Sequence, residues 1–152
     1  MADEDVDRLV QDFAAKVTLH ASSAQDTDSE ADEDMAPNDG PMIAGSCKCG
    51  GCRFQFSARK VLPHGSSGHL DMANCHCSPC RHAHAAAFAS YVTVPTAAVE
   101  RLKGADLVEA RRDRCKHLNA DVLRIFCGKC FSCLAMLPKV GKEVHICAGS
   151  LE

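Results

Sequence analysis

Residues 42–152 predict a mostly β domain of short antiparallel strands, held together by cysteine cross-links around a thin core. Three observations carry that expectation. Short runs of β-branched and aromatic residues are separated by frequent Gly and Pro, the pattern of many short strands rather than long helices. Seven of the eleven cysteines fall into three tight clusters. The apolar share of 46% is made largely of Ala and Cys, with no Trp and one Tyr, so the core has little aromatic bulk to rest on.

Taken in order, residues 1–20 predict an amphipathic helix: Val6, Leu9, Val10, Phe13 and Val17 recur at helical spacing behind an acidic start that suits the positive end of a helix. Residues 21–41 (ASSAQDTDSEADEDMAPNDGP) hold no Lys or Arg and too few apolar groups to order themselves, which predicts a disordered acidic linker. The domain proper then runs over 42–152. GCRFQFS (51–57) alternates Phe54 and Phe56 with polar neighbours, as in a half-buried strand. Residues 58–73 contain Pro63, Gly65 and Gly68 and predict a loop. Ser78-Pro79 predicts the start of a short helix over CRHAHA, with Ser78 as cap. FASYVTV (88–94) predicts a strand stopped by Pro95; residues 96–102 predict a helical turn closed by Gly104. Leu107–Ala110, Val122–Phe126 and Val144–Ala148 predict further short strands.

Charge is unevenly placed. Residues 1–40 carry twelve acidic and two basic side chains, a balance of −10, and residues 41–152 carry eight acidic and fifteen basic ones, a balance of +7. A basic body favours an anionic ligand. The start MADEDVDRLVQDF has neither the basic residues nor the apolar run of a secretory signal, and no stretch approaches 18 apolar residues, which predicts a cytoplasmic or nuclear chain with no membrane partner. Thiols in such a compartment stay reduced, so clustered cysteines are expected to be metal ligands rather than disulfides. The sequence is silent on oligomeric state.

The clusters are Cys47-Lys-Cys49, Cys75-His-Cys77-Ser-Pro-Cys80 and Cys127-Gly-Lys-Cys130. A closed zinc site takes four N/S ligands, and two short hairpins of ligands brought from distant parts of the chain can supply them. Cys47, Cys49, Cys127 and Cys130 fit that plan and would join the start of the domain to its end. Cys75, Cys77 and Cys80 remain, and three ligands with one position open are the mark of a reactive zinc. Two zinc ions per chain are therefore expected.

The succession SCKCGGCRFQF, NCHCSPCRHAHAAAFASYVTVP, LKG, RIFCGKCFSCLAML and VHICAGSLE resembles the glutathione-dependent formaldehyde-activating enzymes, the GFA or centromere protein V family. The resemblance spans about residues 42–152. It implies a compact zinc-stapled β fold of a kind shared with a Rab-exchange accessory protein, with a structural zinc on Cys47, Cys49, Cys127 and Cys130 and a catalytic one on Cys75, Cys77 and Cys80. It implies a carbon–sulfur lyase activity that joins formaldehyde, or a related aldehyde, to glutathione or another anionic thiol, or reverses that step. Arg81, directly after Cys80, is the expected partner for a glutathione carboxylate; Arg53, Arg111, Arg112, Arg114 and Lys116 are further candidates. The sequence departs from the family at Phe131, where members usually carry Gly, so the turn after Cys130 is expected to shift. It also ends at Glu152 where many members continue, so part of a substrate pocket is expected to be missing.

Four cysteines lie outside the clusters. Cys52 and Cys147 are expected to be small buried apolar groups. Cys133 is a minor candidate ligand, and Cys115, among Arg and Lys, is a reactive thiol if exposed. His76 is expected to point away from the metal, and His82 and His84 to lie at the surface or near the site, where one of them could complete an otherwise open position. The competing functional class is a zinc-stapled binding module for a protein or chromatin partner. The acidic tail and the scarcity of aromatic residues argue against nucleic acid.

Overall fold

The computed structural model describes residues 40–61, 70–116, 118–138 and 142–152. The expected N-terminal helix, and the linker up to residue 39, lie outside the described residues. The rest is mostly β, as the sequence predicts: nine strands form two antiparallel sheets. The smaller sheet has the order β1-β2-β5, from Met42–Ser46, Arg53–Ser57 and Val99–Lys103. The larger has the order β3-β4-β9-β8-β7-β6, from Met72–Cys75, Ala89–Pro95, Glu143–Cys147, Cys133–Pro138, Ala120–Cys127 and Val108–Cys115. Two short helices interrupt the strands: α1, Ala58–Val61, and α2, Ser78–His84.

Several boundaries differ from the sequence expectation for identifiable reasons. The predicted loop at 58–73 contains α1 and the first half of β3, which is exposed over Met72–Asn74 and so carries no apolar alternation. The predicted helical turn at 96–102 is a 3-10 turn only over Thr96–Ala98, after which pairing with β2 draws Val99–Lys103 into a strand. Strand β6 runs to Cys115, well past Ala110, because β7 pairs with it along its whole length despite its charged residues. Ser78 is the first residue of α2 rather than its cap; Cys77 holds the cap position and Pro79 lies in the first turn, where a missing N–H costs nothing.

The larger sheet is covered on both faces, and this creates two environments. One face packs on the smaller sheet through Phe54, Phe56, Val92, Val94, Ile125, Val144 and Ile146. The other carries Tyr91, Cys115, Val122, Met136 and Cys147 and is covered by Cys80 of α2. Four successive buried residues in β7, Val122–Ile125, are the local trace of this double cover. The end of the chain closes on the smaller sheet: Leu151 bridges Gly45, and the Glu152 carboxylate takes Ser46 Oγ at 2.6 Å and the Arg53 guanidinium at 3.0 Å.

Candidate metal centre

The first cysteine group joins two turns from opposite ends of the domain. After β1 the chain folds back at Cys47–Cys52, with Gly50 N–H on the Cys47 carbonyl (2.8 Å) and Gly50 at φ 68°. After β7 it turns again, with Phe131 N–H on the Cys127 carbonyl (2.8 Å). The Lys48 N–H donates to Ser132 Oγ at 3.0 Å and latches the two turns together. The sulfurs of Cys47, Cys49, Cys127 and Cys130 then lie within 4.8 Å of one another, with 3.4 Å between Cys47 and Cys49 and 3.9 Å between Cys49 and Cys127. A tetrahedron with Zn–S bonds of about 2.3 Å has S···S edges of about 3.8 Å, so the donor set fits such an ion in kind, number and spacing.

Local hydrogen bonds favour the thiolate at Cys130 and Cys47, whereas at Cys49 the Gly51 N–H does not offset the neighbouring sulfurs and burial, and the thiol rises to about 11. The Ser132 hydroxyl and N–H bring Cys130 down to about 5. Burial opposes ionisation of Cys47, yet the Cys52 N–H, 3.2 Å from its sulfur, with Cys49 and Cys127, leaves it below the usual thiol range. Phe131 takes φ 59° itself, the left-handed backbone that a Gly would adopt, and stays exposed while stacking on Phe126 at 6.5 Å. The expected shift of this turn does not occur: Cys127 and Cys130 still converge.

The second group holds Cys75, Cys77 and Cys80 together, as the C-x-C-x-x-C spacing suggests. Cys75 ends β3, Cys77 caps α2, and Cys80 is buried on the inner side of that helix. Cys75 and Cys77 sulfurs are 3.5 Å apart. The structure adds Cys115, whose sulfur lies within 4.8 Å of the other three, making a second four-sulfur group. Cys115 is only 1% exposed, so the exposure on which its reactivity depended is not met: the end of β6 turns it inward beneath α2. Burial drives Cys75 up to about 12. For Cys77 burial also opposes ionisation, but the Cys80 N–H and the sulfurs of Cys75 and Cys80 outweigh it and bring the thiol down to about 6.

A buried polar network converges on Cys80. Arg124, 7% exposed, donates from Nη2 to Cys80 Sγ (3.5 Å) and from Nη1 to the Tyr91 hydroxyl (3.1 Å), and pairs through Nε with Asp113. Tyr91 reaches Cys80 Sγ at 3.8 Å and His84 Nε2 at 3.0 Å. Burial would lower the Arg124 pKa, but bonds to Cys80, Asp113 and Tyr91 raise it and keep the charge.

The remaining candidates divide clearly. Arg81 is exposed and lines an open surface depression with His82 and Ala85–Ala87. Arg53 pairs with Glu152, Arg111 with Glu109 at 3.3 Å, and Arg114 with Asp121 at 3.6 Å. Arg112 and Lys116 are exposed. His76 packs on Phe88 at 5.4 Å, and Cys52 and Cys147 are buried as expected. His84, Cys133 and Cys147 form a third convergent set, outside the second group. Sequence reasoning missed Arg124 and the convergence of Cys115 with Cys75, Cys77 and Cys80. Cys115 has no neighbouring cysteine to flag it, whereas a lone Arg inside the apolar run VLRIF was a visible signal of a buried, partnered charge.

The family model described as glutathione-dependent formaldehyde-activating enzyme matches residues 42–152. Among solved structures, the chain is similar to a Rhodobacter sphaeroides protein at 20% identity and a TM-score of 0.53, over 72% of this chain and 87% of that one, which supports the fold. No curated protein matches the chain.

Proposed function

Since the chain belongs to the glutathione-dependent formaldehyde-activating enzyme family, we propose that it is a zinc-dependent lyase-type enzyme that joins formaldehyde to glutathione, or a related aldehyde to a similar anionic thiol, at the Cys75–Cys77–Cys80 group. The reaction adds S–H across C=O: a C–S bond forms, the thiol proton passes to the carbonyl oxygen, and nothing is oxidised. A zinc ion held by these cysteines would favour the ionised substrate thiol and polarise the aldehyde oxygen. The first group, on Cys47, Cys49, Cys127 and Cys130, would hold a second zinc that fastens the fold.

The observation that carries this assignment is the charged network on Cys80. Arg124 and Tyr91 point hydrogen-bond donors at that sulfur and fix its position. Arg81, exposed on the same helix, would receive a carboxylate of the thiol substrate at the surface. In this account Cys115 is a displaceable fourth sulfur. The test is NMR of the exchange between formaldehyde, glutathione and their adduct. Acceleration by the metal-loaded protein, lost in Cys77→Ser together with about one zinc per chain, is the expected result. No acceleration with both groups loaded refutes it.

The convergence of Cys115 favours a second reading, a closed zinc scaffold serving as a binding module. Cys115→Ala separates the two. A displaceable sulfur leaves zinc content and exchange rate intact or the rate raised; a closed structural site loses its ion.

A further inference from the structure

Outside the two four-sulfur groups, His84, Cys133 and Cys147 meet with one donor atom each, all within 4.8 Å of one another. They come from the last turn of α2, the start of β8 and the end of β9, so their convergence is not the by-product of a single turn. The two sulfurs are 3.6 Å apart, near the roughly 3.8 Å edge of a thiolate tetrahedron. The imidazole has a fixed partner: the Tyr91 hydroxyl lies 3.0 Å from His84 Nε2, and the rings meet edge-on at 5.6 Å. Arg124 in turn fixes that hydroxyl at 3.1 Å. Partners of this kind orient the histidines of metal sites.

We propose that His84, Cys133 and Cys147 form a third metal site, selective for zinc. Two thiolates and an imidazole are soft and borderline donors that suit Zn²⁺ or Cu⁺ and disfavour Mg²⁺ and Ca²⁺. A divalent ion with two thiolates leaves the set neutral, whereas a monovalent ion leaves one negative charge beside Cys147, which is only 4% exposed. Binding releases the thiol proton that Cys147 donates to Cys133 and changes no oxidation state. The site depends on neither reading of the Cys75 group, because its three ligands belong to neither four-sulfur set.

The test is a zinc titration of the full chain, stripped of metal and kept reduced, against a competing chromophoric chelator, with native mass spectrometry to count bound ions. The wild-type chain is expected to take up about three zinc ions and Cys133→Ser about two. His84→Ala guards against a folding defect, since it leaves both sulfurs in place and removes a half-buried ring at a helix end. It is expected to weaken the third equivalent by more than the roughly 10–100-fold that loss of a supporting partner costs, with the first two unchanged. Wild-type saturation at about two ions, or a third equivalent unaffected by His84→Ala, overturns the proposal. So does a Cys133–Cys147 disulfide, a chain lighter by two hydrogens under the same reducing conditions, because the pair is then a redox couple.

Discussion

Replacing Cys127 by Ala removes one sulfur from the group that joins residues 47–49 to residues 127–130. Cys127 is fully buried, and its sulfur lies 3.9 Å from that of Cys49. The link spans about 80 residues of chain, and closing a flexible loop of that length costs (3/2)RT ln n, about 4 kcal/mol. A metal bridge removes this cost from folding, so its loss destabilises the domain by about 4 kcal/mol. Removing the buried sulfur adds about 1 kcal/mol of lost packing. A typical domain holds only about 5–15 kcal/mol in total, so the variant is expected to be marginal. Urea unfolding of the reduced protein, followed by circular dichroism with and without a strong chelator, measures the effect. The gap between wild type and variant is expected to shrink to about 1 kcal/mol in chelator, because neither then has the bridge. A gap of the same size in both conditions refutes the reasoning, since Cys127 would then act by packing alone.

Three further outcomes are expected. Arg124→Met leaves Asp113 and the Tyr91 hydroxyl without their partner and should cost about 2–3 kcal/mol in denaturant unfolding, less than the roughly 3–5 of a fully buried pair because Asp113 is one-third exposed; a change under about 0.5 kcal/mol contradicts the network. Gly104→Ala places a Cβ 2.2 Å from the Gly51 carbonyl oxygen at φ +79° and so pushes on the Cys47–Cys52 turn; a loss above about 2 kcal/mol by thermal melting is expected, and a neutral result contradicts the close approach. Phe131→Gly relieves a left-handed backbone worth about 1–2 kcal/mol, but loses stacking on Phe126 and adds chain entropy, about 1 kcal/mol together. Unchanged zinc content and a stability gain under about 1 kcal/mol should follow, and a clear loss would show that the ring, not the backbone, decides this position.

The clusters Cys47-Lys-Cys49 and Cys127-Gly-Lys-Cys130 were legible as partners because each short spacing already brings two sulfurs to one side of a turn. The strands around Phe54, Tyr91 and Val144 were legible for a similar reason: alternation or a compact apolar run is a local property. Strand β3 and the part of β6 beyond Ala110 were hidden because exposed or charged residues fill them, and only pairing with β4 and β7 makes them strands. Cys115 illustrates the same limit at the site. Its neighbours Arg114 and Lys116 suggest a basic exposed loop, while the register Cys115↔Ala120 fixes it at the inward end of β6, beside sulfurs 35 to 40 positions earlier. His84, Cys133 and Cys147 are likewise united only by the larger sheet and the helix above it.

The most direct test of the central claim, that the cysteine groups are metal sites, is the zinc-to-protein ratio of the purified, reduced full-length chain. Two four-sulfur groups require about two zinc ions per chain, and the third site raises that number. A ratio of about two or above is predicted. A ratio near one or below would contradict the account, because a four-sulfur group would then be closed by packing alone.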